Sequence, residues 1–252
     1  AEGDRRLADE EHHRPYLFAL ASLETTVELD PNVRKSVLEK AALLIPPKDD
    51  DQVLLFIKGG SEVVPLLQPN HSHNQKEAIR CIEVLAGIGG DAALSVLSQY
   101  AQEYNDEEYN KIQRALCEAW FFFERQVYAD KIFIHLTRLD LSSTQVSDIS
   151  ALSGLSSLQR LYLSSTQVSD VSALSNLSSL QELYLSSTQV RDVWALSSLS
   201  SLIRLYLNST LVSDVSVLSD LSSLRYLYLD FTGVSDVSAL KEKNKELLVF
   251  GV

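Results

Sequence analysis

Hydrophobic positions recur with a fixed period through the second half of the chain. Leu136, Leu158, Leu180, Leu202 and Leu224 each open a block, and the spacing is always 22 residues. The block from Leu158 reads LQRLYLSSTQVSDVSALSNLSS, and its neighbours differ from it at few positions. Within a block, the order L-x-x-L-x-L predicts a short strand that turns Leu161 and Leu163 inward and leaves Tyr162 facing out. Parallel strands are therefore expected over residues 136–141, 158–163, 180–185, 202–207 and 224–229. One block cannot bury its leucines alone, so successive blocks must stack into a continuous core. The last strand, in LLVFGV, fits the hydrophobic pattern best one residue late, with Leu247, Phe250 and Val252 inward.

Two polar positions repeat with the same period. Thr144, Thr166, Thr188, Thr210 and Thr232 fall where a buried hydroxyl can bond the backbone of the turn after the strand. Asp148, Asp170, Asp192, Asp214 and Asp236 each precede a V-S-A-L-like stretch, where a carboxylate caps a helical or 3₁₀ turn. One carboxylate per block makes a calcium ladder the weaker reading.

Residues 1–135 carry helical patterning without that period. Asp30-Pro31 is a helix start, Val33, Val37, Ala41 and Leu44 form one face, and Pro46-Pro47 stops the run. Asp50 or Asp51 opens a shorter helix with Val53, Leu54 and Ile57 apolar, ended by Gly59-Gly60. A short turn follows from Ser61 to Gln68. Asn74 begins a helix through Ala78, Ile82 and Leu85 that Gly87, Gly89 and Gly90 terminate. Asp91 then caps one carrying Leu94, Leu97, Tyr100 and Tyr104 on its face. Tyr109, Ile112, Leu116, Trp120 and Phe123 make another. Short antiparallel helices of this kind read as a HEAT-like or irregular α-solenoid. Its expected task is to cover the open first repeat, with Trp120, Phe121, Phe122 and Phe123 at the seam.

The fold expected is thus an α/β solenoid. A HEAT-like α-helical domain over residues 1–135 precedes a solenoid over 136–252, with five full repeats, a partial sixth and a parallel concave sheet. The outward positions define the candidate binding face. Asp140, Tyr162, Tyr184, Tyr206 and Tyr228 form one row across the strands. Arg138, Arg160, Glu182, Arg204 and Tyr226 form a second, mostly basic, with Arg225 adding a charge. Exposed Tyr and Arg are the types enriched at binding hot spots, so the face predicts a protein or an anionic ligand.

Charge narrows the partners. The net charge is −12, of which residues 1–135 carry −9 and residues 136–252 carry −3. An acidic chain disfavours nucleic acid and anionic membranes, and no apolar run reaches the roughly 20 residues of a membrane span. The N-terminus lacks the apolar core of a signal peptide, and Cys81 and Cys117 sit in helical apolar patterns, so a reducing, cytoplasmic setting is expected. Methionine is absent, including at position 1, so the chain is expected to be part of a longer protein.

Catalytic and metal chemistry find little footing. His71-Ser-His73 lacks a Cys, Asp or Glu in register, and His12-His13 reads as a solvated face. No histidine lies within 136–252 to activate the many serines, and no phosphate-binding G-x-x-x-x-G-K-[ST] occurs. No catalytic, cofactor or metal residue is expected.

The repeat resembles the 22-residue class of bacterial leucine-rich repeats found in internalins, with Thr in place of the usual Asn. The stretches ELDPNVRKSVLEKAALLIPPKDDDQ, EAIRCIEVLAGIGGDAALSVLSQYA and RALCEAWFFFERQVYADKI resemble the helical region before the repeats of bacterial NACHT proteins, relatives of NOD-like receptors. The resemblance implies a ligand-sensing module of a STAND-type antiphage receptor, with an upstream NTPase in the same parent chain. Ligand-induced oligomerisation of the parent protein would follow. An internalin-like adhesion module is the alternative.

Overall fold

The computed structural model describes residues 15–23 and 29–252, so His12-His13 lies outside the described residues. Two compact units follow one another, the first ending at Phe123 and the second running Glu124–Val252. The expected boundary at 135/136 therefore falls inside the second unit.

The first unit is helical. After α1 (residues 15–21) come α2 (Pro31–Ala42), α3 (Asp50–Lys58), α4 (Gln75–Ile88), α5 (Gly90–Glu103) and α6 (Asn110–Ala119). Helix α4 is its centre, packing against α3, α5 and α6 with Cys81, Ile82, Val84 and Leu85 buried. Its start is fixed by a capping box. The Asn74 side chain accepts from the Glu77 N–H, and the Glu77 carboxylate accepts from the Asn74 N–H. Asp30 caps α2 with Pro31 at its first position, and Asp49 caps α3 through the Gln52 N–H.

Several expected faces are corrected. Gly89, at φ 72°, rather than Asp91, is the residue before α5, and Asp91 lies within its first turn. Val33 and Leu54 are exposed, while Phe56, two residues further along α3, is fully buried. Trp120 is buried but Phe121 and Phe122 are exposed, because the chain tightens into a 3₁₀ turn at Trp120–Phe122 that swings those two rings outward. Buried Cys81 behaves as a small hydrophobe, its thiol pushed up to about 11 chiefly by burial.

The second unit begins with helix α7 (Arg125–Lys131) and a 3₁₀ turn (Phe133–His135). Six strands follow: β1 (Arg138–Asp140), β2 (Arg160–Tyr162), β3 (Glu182–Tyr184), β4 (Arg204–Tyr206), β5 (Tyr226–Tyr228) and β6 (Leu248–Phe250). They form one parallel sheet in chain order, each residue pairing with the one 22 positions on. The regular strands are three residues long rather than six, and the leucines that flank them are buried.

Each coil closes in the same way. The Thr166, Thr188 and Thr210 hydroxyls are buried and donate to the carbonyl oxygens of Leu163, Leu185 and Leu207 at 2.6–2.7 Å. Ser143, Ser165, Ser187, Ser209 and Phe231 hold the left-handed turn before them, at φ 56–60°. Asp148, Asp170, Asp192, Asp214 and Asp236 each accept the backbone N–H two residues on at 2.8–2.9 Å, which opens the 3₁₀ segment of the return side. Those bonds hold the four carboxyls Asp148, Asp170, Asp214 and Asp236 below the usual range. In the fifth coil the 3₁₀ segment lengthens into helix α8 (Ser238–Lys243).

The last strand departs from the expected register. Leu248, Val249 and Phe250 pair with Tyr226, Leu227 and Tyr228, so Phe250 faces outward and Val252 is exposed. The ladder bonds Leu248 N–H to Arg225 O and Leu229 N–H to Phe250 O, both 2.9 Å, hold the strict spacing. Gly251 occupies the place of an inward leucine. A Cβ there would sit 2.3 Å from Asp230 N, so the close approach admits only glycine.

Candidate functional site

The outward rows of the sheet bring together nearly all the residues that sequence reasoning singled out. Parallel register places Tyr162, Tyr184, Tyr206 and Tyr228 directly beside one another, and Phe250 continues the row. Their rings stack at centroid distances of 4.4, 4.3, 4.3 and 4.6 Å, with interplanar angles between 4° and 12°. That spacing follows from the ~4.8 Å separation of hydrogen-bonded strands, which is close to the best contact between flat rings. Stacking consumes the ring faces. At the first end Arg138 lies 4.6 Å over the Tyr162 ring, where the first coil has Asp140 in place of tyrosine. What the ladder leaves exposed is therefore mainly ring edges and phenol hydroxyls.

The second row differs from the basic stripe expected. Glu182 sits between two arginines, 2.6 Å from Arg204 Nη1 and 3.7 Å from Arg160 Nε. The Tyr184 hydroxyl also donates to Glu182, at 2.8 Å. Arg138 pairs with Asp140 at 3.7 Å, and the Arg204 guanidinium lies 5.3 Å over the Tyr226 ring. The positive charges are thus largely compensated within the sheet, and a strong anion site is not built. Arg225 does not join either row. It precedes β5, donates to the Ser222 carbonyl oxygen at 2.7 Å and pairs with Glu246 at 3.3 Å. In the sequence Glu182 stands as an exception in a basic row. The 22-residue spacing, which places it beside Arg160 and Arg204, was the signal that could have shown the network.

The network has a testable consequence. The Tyr184 phenol is pushed well above its usual range, first by burial, then by its hydrogen bond to Glu182 and the charge of that carboxylate. An unfolded tyrosine ionises near pH ~10, so above that pH the folded chain holds more protons and stability falls as pH rises. In Glu182→Gln the carboxylate contribution vanishes while burial remains. Tyrosinate absorbance should then show one tyrosine ionising at lower pH than in the parent. An unchanged titration curve would mean that Glu182 does not hold the Tyr184 proton.

A family profile described as leucine-rich repeats (2 copies) matches residues 134–176 and 156–201. Residues 134–201 thus carry leucine-rich repeats. Among solved structures, an internalin C2 from Listeria monocytogenes is similar at 36% identity, covering 48% of this chain and 54% of that one, with a TM-score of 0.46. An internalin InlF from the same organism is similar at 24% identity, covering 60% and 57%, with a TM-score of 0.40. A leucine-rich-repeat protein of Leptospira interrogans is similar at 21% identity, covering 46% and 31%, with a TM-score of 0.44. The chain thus spans little more than half the length of the internalins, and less of the third. No curated protein sequence matches it. Among the described residues, no helix is long and apolar enough to cross a membrane.

Proposed function

We propose that the outer face of the repeat sheet is a protein-binding surface and that the chain acts as a recognition module, not a catalyst. One observation carries this reading: five stacked aromatic rings run unbroken across β2 to β6, flanked by a charge-compensated Arg–Glu row. Such a surface is rigid before binding, so little side-chain entropy is lost on contact, and Tyr and Arg supply much of the energy at protein interfaces. The finer reading assigns the chain to the sensing end of a cytoplasmic NACHT-type antiphage receptor. There it recognises an invader-derived protein and acts through an upstream NTPase in the same parent chain. It is supported by the resemblance of the helical segments in residues 15–135. The 22-residue repeat itself favours a second reading, an internalin-like adhesion module. An upstream NTPase or an upstream secretion signal in the parent gene separates the two.

The test of the binding face is Tyr184→Ala with Tyr206→Ala in the whole chain. Both tyrosines are half-buried on the sheet surface rather than in the core, so the variant should keep its far-ultraviolet dichroism. Proteins captured from lysates of phage-infected bacteria should be lost, with affinity for a recovered partner falling at least tenfold, about 1.4 kcal/mol. A folded double variant that captures the same proteins with equal affinity would move the site off the sheet.

A further inference from the structure

The coils are so alike that each serves as a reference for the others, and the third departs from them away from the sheet. Where the other four coils carry Ser150, Ser172, Ser216 and Ser238 at the start of the return-side turn, the third carries Trp194. Where they carry Ser147, Ser169, Ser213 and Ser235, it carries Arg191. In the adjoining fourth coil Val217 replaces the alanine of Ala151, Ala173, Ala195 and Ala239. The fold itself requires none of these three, since serine and alanine close the same turns elsewhere. Trp194 is 58% exposed and Val217 40% exposed, and the 3₁₀ segments that carry them, Trp194–Ser198 and Ser216–Asp220, stack directly on each other. Arg191 is exposed and makes no ion pair among the described residues. Both coils lie inside the array, flanked by a coil on each side.

An exposed tryptophan and an arginine placed where serine suffices form the kind of pair that anchors protein contacts. The surrounding charge says what kind of partner fits. Asp170, Asp192 and Asp214 stand in line beside the patch, one per coil, each exposed. Asp170 and Asp214 are held ionised by their bonds to Ser172 and Ser216, and Asp192 makes the same bond to the Trp194 N–H. Among the described residues of these three coils' return side, Arg191 is the cation beside that line. Coils repeat every ~4.8 Å, while an α-helix brings a side chain back to the same face every ~5.4 Å, so one basic residue per turn meets one aspartate per coil within the reach of a Lys or Arg stem. Extended chain, with same-face residues ~6.8 Å apart, falls out of step. We infer that the return side of the third and fourth coils is a second docking surface, for a basic amphipathic helix of a partner protein. Lysines or arginines of that helix lie on Asp170, Asp192 and Asp214, an apolar residue lies against Trp194 and Val217, and Arg191 sets its direction.

The two tryptophans make the test direct, because Trp120 is fully buried and Trp194 reports the patch. The probe is a synthetic amphipathic helical peptide with lysine at every turn beside a leucine stripe. Its partner is the same peptide with glutamate for lysine. The whole chain should bind the lysine peptide with a blue shift of Trp194 emission and an affinity that falls with salt, and should not bind the glutamate peptide. Trp194→Ser restores the serine of the other coils and should fold. It should weaken binding, followed by anisotropy of a labelled peptide, at least tenfold. Asp170→Asn with Asp214→Asn keeps a capping side chain and should weaken binding at least fivefold, while Tyr184→Ala with Tyr206→Ala should bind as the parent does. Equal binding of both peptides, failure of the lysine peptide to bind at low salt, or unchanged binding by Trp194→Ser would overturn the proposal. So would self-association of the chain that Trp194→Ser abolishes, which would make the patch a contact between copies.

Discussion

Leu183→Ala should lower the unfolding free energy by roughly 2–5 kcal/mol, the range for emptying a fully buried leucine site. Leu183 is 0% exposed at the middle of β3, paired with Leu161 on one side and Leu205 on the other. The loss should be at the upper end for two reasons. A coil touches only its neighbours, so a void in the third coil weakens two interfaces at once. The neighbouring coils also cannot collapse into it, because cross-strand hydrogen bonds, Leu163 N–H to Tyr184 O at 2.8 Å and Leu185 N–H to Tyr206 O at 2.9 Å, hold the strand spacing on both sides. Val249→Ala in β6 provides the internal control. Val249 lies at the equivalent place but is only half-buried, and that change should cost about 1 kcal/mol or less. Urea unfolding followed by dichroism measures both. Equal losses at the two positions would show that the array does not transmit a central defect to both sides. A shallower transition for Leu183→Ala would show that its cooperativity has broken.

How much of this was legible in the sequence varied with the physics that decides each feature. The repeat was plain, because strand register in a stacked array is set by a count of residues, and the count is constant. The threonine and aspartate roles were equally plain, since each polar group answers a backbone group that every coil leaves open. The last strand was misjudged because hydrophobicity was allowed to outvote spacing. Phe250 finds its apolar contact outside the core, on the Tyr228 ring, and Gly251 marks the position where no side chain fits. The rows of the binding face were found residue by residue, but their electrostatics were not. Counting residue types across the row shows a basic stripe, whereas neighbours in that row neutralise one another, Arg160 and Arg204 both reaching Glu182. The exposed rings of Phe121 and Phe122 were invisible for a different reason, since a 3₁₀ turn of three residues leaves no period to read.

Removing Glu124 to His135 should abolish the folded monomeric array, whereas the piece 124–252 should fold alone. This segment closes the first coil from within the second unit. Glu124 caps α7 by accepting from the Gln126 and Val127 N–H groups, at 3.1 and 2.7 Å. The helix packs against the 3₁₀ segment Ser150–Leu152, and Tyr128, Ile132 and Phe133 are fully buried, the Tyr128 and Phe133 rings meeting edge to face at 5.3 Å. Burying three such side chains contributes about 1.5–3 kcal/mol each. That is comparable to the whole stability of an ordinary domain, about 5–15 kcal/mol. A piece starting at residue 136 would also present the first coil's apolar edge to water, a surface that drives association between copies. Sedimentation and thermal melting of the two pieces decide the matter. The longer should sediment as a monomer with one cooperative melt, and the shorter should aggregate or melt without a transition. A monomeric 136–252 that melts at the same temperature as 124–252 would show that the first coil needs no cover. The boundary of the array would then return to residue 136, leaving α7 as a passive connection.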